Sequence, residues 1–95
     1  MAKQQYRTEI GMLSDVLNVV MNHGRQGAII SSIGREANLS HDAAIGKCKR
    51  LEEAGLLEPS SDGRNRTFAV TEKGIQFFEQ LQKFLEIVHE VKIRC

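Results

Sequence analysis

The chain has 95 residues, 41% of them hydrophobic, and a formal net charge of +1. That length makes one domain with a single modest core, which association into a dimer commonly helps to stabilise. The near-neutral balance speaks against a purely electrostatic coat for nucleic acid. No apolar run is long enough to cross a membrane, and the polar opening Met1–Arg7 lacks a signal-peptide core, so a cytoplasmic protein is expected.

Residues 1–7 are expected to fray. A first helix is predicted from Thr8 to Met21, because Ile10, Leu13, Val16, Leu17, Val20 and Met21 carry the helical period. Asn22-His23-Gly24 ends it, and Gly24–Gly27 forms a turn. Ala28-Ile29-Ile30 is too short to classify by period but fits one short strand pairing with a later hairpin. Ser31 or Ser32 is placed to cap a short second helix, Ile33 to Ala37. Asn38, which tolerates a left-handed backbone, makes the turn into the next helix. Two short helices joined by a tight turn form a helix-turn-helix.

The central helix has clear stop signs at both ends. Ser40 suits the N-cap and Asp42 the positive end of the helix dipole, while Gly55 suits the left-handed position after the last turn. Ala44, Cys48 and Leu51 repeat at i, i+4, i+7 and predict a narrow buried stripe. Ala43, Gly46, Lys49 and Arg50 fall mostly on the other side, with Lys47 on a flank. A helix that enters a DNA groove needs such a surface of small and basic residues.

After Gly55, Leu56–Pro59 reads as a short strand with Pro59 at an edge or end, because it cannot donate to a ladder. Residues 60–65 are rich in turn formers, and Arg66–Val70 has strand composition, so a β-hairpin with a basic tip is expected. Thr71 is placed to cap a last helix running to about Ile93. Phe77, Leu81, Phe84, Val88 and Val91 follow the 4-3-4-3 spacing of a heptad seam, and Ile75, Phe78, Leu85 and Ile87 widen the apolar surface. One three-helix core cannot cover all of it, which predicts burial of the helix against a second copy.

The string Leu39-Ser40…Lys49-Arg50-Leu51-Glu52-Glu53-Ala54-Gly55-Leu56-Leu57, followed by Thr71-Glu72-Lys73-Gly74, resembles winged-helix transcriptional regulators over about residues 8 to 93. Within that superfamily the chain looks most like the small archaeal proteins of the Sulfolobus ten-a type. The resemblance implies a DNA-binding dimer joined by an antiparallel coiled coil of the last helices. The longer multiple-antibiotic-resistance regulators are a second comparison. They carry extra helices for dimerisation and often for an effector; this chain has no room for those, so no small-molecule effector is expected. The expected fold class is mainly α with a small hairpin (α+β). Residues 1–95 form a single winged-helix domain, with 8–70 binding DNA and 71–93 a dimerisation helix.

In that frame the candidate DNA-contacting residues are Arg35 on the supporting helix, Ser40, His41, Ala43, Gly46, Lys47, Lys49 and Arg50 on the recognition helix, and Arg64 and Arg66 on the wing. Gly46 costs helix stability and permits close approach either to DNA or to another helix. The candidate dimerisation residues are Phe77, Leu81, Phe84, Val88 and Val91. No catalytic residue, metal ligand or cofactor is expected. Cys48 and Cys95 are isolated, His23, His41 and His89 have no metal-ligand spacing, and no phosphate-cradling loop is present. The expected function is a dimeric transcriptional regulator on double-stranded DNA. The alternatives are a nucleoid-associated architectural protein and a protein-interaction module.

Overall fold

The computed structural model describes residues 8–62 and 65–91. Helix α1 spans Glu9–Asn22 and is followed by a single 3-10 turn, Gly24–Gln26. Helices α2 (Ile30–Ala37) and α3 (His41–Glu53) come next, then strands β1 (Leu57–Asp62) and β2 (Asn65–Val70), then helix α4 (Glu72–Glu90). The expected α+β class, with four helices, one hairpin and a long last helix, is the observed one.

Local chemistry accounts for most of the boundaries. Thr8, Ser40 and Thr71 cap α1, α3 and α4 by accepting from the N–H groups of Gly11, Ala43 and Gly74 at 2.9, 3.1 and 2.9 Å. Asn38 ends α2 in the left-handed conformation, with φ +59°, and the Leu39 N–H returns to the Gly34 carbonyl at 2.7 Å. Gly55, at φ +81°, ends α3 as its sequence position requires.

Three expectations need correction. Helix α2 begins at Ile30 rather than Ile33, and neither Ser31 nor Ser32 caps it: Ile29 holds the cap position with no side-chain bond. Ile30, Ile33 and Ala37 all pack into or against the core, and that stripe outweighs the preference of serine for a cap. The strand expected at Ala28–Ile30 is reduced to one bridge, in which the Ala28 and Phe68 backbones exchange hydrogen bonds of 2.8 and 2.9 Å. The hairpin is longer than its composition suggests. Its antiparallel register runs from Leu57↔Val70 to Asp62↔Asn65, leaving residues 63 and 64 between the strands. Once the inner pairs are set, the ladder extends through Ser60 and Ser61 despite their turn propensity. Pro59 is tolerated because β1 is an edge strand, β2 lying between it and the Ala28 bridge.

The core gathers Val16, Leu17 and Val20 of α1, Ile33 of α2, Ala44, Cys48 and Leu51 of α3, and Leu56 and Leu57 where β1 begins. The predicted stripe of α3 is fully used: Ala44 and Cys48 have no exposed surface and Leu51 almost none. His23, just past α1, holds Glu36 of α2 through Nε2 at 3.2 Å. No helix among the described residues is long and apolar enough to cross a membrane.

Helix α4 is only half absorbed. Leu81 is buried, and Gln82 meets Ser14 of α1 at 3.3 Å. Phe84, Ile87 and Val91 are more than half exposed, and Phe77 is 41% exposed. The described helix ends at Glu90, with Val91 as its C-cap, so Ile93 lies outside the described residues.

Candidate nucleic-acid interface

With one stripe of α3 buried, the opposite stripe reads Asp42, Gly46, Lys49, Glu53, at spacing i, i+4, i+7, i+11. All four are exposed. An added Cβ at Gly46 would meet nothing within 4 Å, so close packing against another helix of the chain is not what Gly46 serves. Two acids share this stripe with one lysine. The outward face is therefore mixed in charge rather than simply small and basic.

The cations of α3 divide between two sides. Lys47, half-buried, and Arg50, mostly exposed, both reach Glu9 at the start of α1. Lys47 Nζ lies 3.1 Å from Oε1, and Arg50 donates from NH1 to Oε2 at 2.8 Å. Lys49 turns the other way, to a cleft of about 290 Å³ between α3 and the hairpin, and Arg66 of β2 lines the same cleft. Ile30, Ile45, Pro59 and Phe68 form its apolar part, and Glu52 adds one carboxylate. No ion pair found among the described residues engages Lys49 or Arg66.

The remaining candidates scatter. Ser40 spends its hydroxyl on the cap of α3, His41 is exposed beside it, and Ala43 is half-buried. Arg35 is exposed on α2. Arg64 lies outside the described residues. Glu9 is the residue that sequence reasoning passed over. An acid in a first turn suits the helix dipole and attracts no further notice, and only the fold brings it to residues 47 and 50.

The short end of α3 is tied to α4 by the Thr71–Gly74 segment. The Thr71 hydroxyl donates to the Gly55 carbonyl at 2.7 Å, and Lys73 Nζ donates to the Ala54 carbonyl at 3.0 Å. The ammonium thus sits at the negative end of α3. The Thr71 N–H meets the Leu56 carbonyl at 3.0 Å.

A helix-turn-helix of this form, backed by α1 and flanked by a hairpin, is matched by the family model described as winged helix-turn-helix over residues 6–89. The chain belongs to the winged helix-turn-helix family. In its terms α2 and α3 are the helix-turn-helix, α3 the recognition helix and β1–β2 the wing. Among curated proteins, none matches the sequence. The fold is similar to that of Sso10a-2, a DNA-binding protein from Sulfolobus solfataricus. There the TM-score is 0.78 at 17% identity, over 90% of this chain and 86% of the other. A MarR family transcriptional regulator from Rhodococcus sp. RHA1 gives 0.77 at 21% identity, over 87% of this chain but 59% of that one. AF1382 from Archaeoglobus fulgidus gives 0.65 at 23% identity, over 81% and 86%. This chain therefore spans less than two thirds of the MarR family chain and 86% of each of the other two.

Proposed function

We propose that the protein is a transcriptional regulator that binds double-stranded DNA as a dimer. The recognition helix α3 lies in the major groove, with the wing beside it. The observation that carries this reading is the pairing of Lys49 and Arg66 across the cleft between α3 and the wing, two cations from different elements converging on one open side. The winged helix-turn-helix family and the likeness to DNA-binding proteins support it. The mixed outward stripe favours a reader of particular sequences over a general coat. A carboxylate repels phosphate but can accept a hydrogen bond from a cytosine amino group. Residues 8–70 make the DNA-binding part, with Lys49 and Arg66 at its centre and Arg35, Ser40, His41, Ala43 and Gly46 as further candidate contacts. Helix α4 joins two copies through Phe77, Phe84, Val88 and Val91, with Leu81 at the base of the seam. The protein works on the chromosome in the cytoplasm, without a cofactor and without catalysis.

Fluorescence anisotropy with the upstream region of the gene and with a random duplex, at two salt concentrations, tests the reading. Tight binding to one duplex by a species of dimer mass is the expected result. Lys49→Ala and Arg66→Ala are each expected to weaken binding and to flatten the slope of log affinity against log salt by about 0.9, one phosphate contact each. Equal salt-sensitive binding to both duplexes would assign an architectural role. No binding at low salt would assign the fold to protein interaction.

A further inference from the structure

The contact between Glu9 and the recognition helix lies at the surface, outside the apolar core. Glu9 is 40% exposed at its side chain, and Thr8 already caps its helix. What the contact does is give each oxygen of one carboxylate to a different cation of α3. Oε1 takes Lys47 and Oε2 takes Arg50, three residues apart on one side of the recognition helix. A DNA phosphate bridging the same two side chains would use two oxygens in the same way.

We propose that Glu9 is an internal stand-in for phosphate, which withholds Lys47 and Arg50 from DNA and so limits binding that does not depend on sequence. The inference rests on the DNA-binding reading and adds to it the residue that sets its electrostatic component. Three observations converge on it. The chain's 13 Lys and Arg are nearly balanced by 12 Asp and Glu, so the net charge of +1 offers little general attraction for phosphate. Two of the three cations on α3 are committed to one carboxylate, leaving Lys49 alone on the wing side. The outward stripe between the two sides carries Asp42 and Glu53, which keep phosphate at a distance as well. Contacts to phosphate supply nearly all of non-specific affinity, whereas base contacts supply discrimination. A carboxylate that neutralises the former and leaves the latter raises the ratio of specific to non-specific binding.

The experiment compares the wild-type chain with Glu9→Gln, Glu9→Ala and Glu86→Gln. The last removes an equal charge from the exposed face of α4. Each is titrated with a random duplex over a salt series and eluted from immobilised heparin, and thermal melts confirm the fold. Glu9→Gln and Glu9→Ala are expected to bind the random duplex about tenfold more tightly at low salt, with a slope steeper by up to about 1.8, two further phosphates. Glu86→Gln is expected to behave as wild type, and Glu9→Gln to have no effect in a Lys47→Gln/Arg50→Gln background. If wild type binds DNA but removing Glu9 leaves the slope unchanged or weakens binding, the proposal is overturned, and Glu9 merely positions the two cations. If no chain binds duplex but the Glu9 variants leave heparin at higher salt than Glu86→Gln, the withholding role stands and the DNA reading falls. Absence of both effects overturns both.

Discussion

At the scale of single residues, the chemistry of two buried groups is set by what surrounds them. Burial pushes the Cys48 thiol up to about 11, with Glu52 adding to the effect. In a Cys95→Ser background, a thiol reagent at pH 8 is expected to label Cys48 only as fast as the protein unfolds, and rapid labelling of the native chain would contradict the burial. The linkage has a definite sign. The folded value lies above the unfolded one of 9.0, so stability is full below pH 9 and declines as the pH rises towards 11. Thr67 is the second case. Its hydroxyl is buried and has no hydrogen-bond partner among the described residues. Replacing an unsatisfied buried hydroxyl by a methyl group of the same shape removes a desolvation cost, so Thr67→Val is expected to stabilise by about 1 kcal/mol in urea titration.

At the scale of elements, the sequence is informative where a rule acts within one turn. The Ser40 and Thr71 caps, the left-handed Asn38 and Gly55, and the Ala44-Cys48-Leu51 stripe were all legible, because each depends on residues within about seven positions. The start of α2 was not, because a buried Ile30 outweighs a serine cap only once α1 and α3 are in place. The extent of the hairpin was hidden for the same reason: ladder pairing with Thr67 and Arg66 draws Ser60 and Ser61 into a strand. At the candidate interface, Lys49 and Arg66 were visible as candidate DNA-contacting cations. The engagement of Lys47 and Arg50 by one carboxylate was not, since Glu9 lies 38 or more positions away. Gly74 shows how a short motif acquires its cause. A Cβ there would collide with the Leu56 carbonyl oxygen, which the Thr71 N–H holds in place, and lie 2.7 Å from Val70 Cγ2 at the end of β2. Gly74→Ala is therefore expected to cost about 2 kcal/mol or more, read as a lower unfolding midpoint, and to loosen α4 from the end of α3.

At the scale of the whole molecule, the question is what covers α4. The apolar side chains that the single chain leaves open, Phe77, Phe84, Ile87 and Val91, are larger than a solvated helix needs. The heptad seam proposed to join two copies includes Leu81, which the chain itself buries, so the seam grows out of the core rather than standing apart from it. This separates two classes of variant. Phe84→Glu is expected to give a folded monomer by light scattering, with a melting curve that no longer depends on concentration and weaker binding to a two-site duplex. Leu81→Ala is expected instead to lower stability at every concentration, by about 2–3 kcal/mol for a large-to-small change in a packed site. A monomeric wild-type chain would remove the basis for the seam.

Gly46 has one more consequence. The middle of the outward stripe of α3 carries no side chain, and a Cβ there would meet nothing within 4 Å. A side chain can begin there without a clash, so in the proposed DNA-binding role a new operator preference is reachable through one codon. The same vacancy makes position 46 a natural place to begin reprogramming the proposed recognition surface by selection, because a substitution there starts from open space rather than from a packed contact.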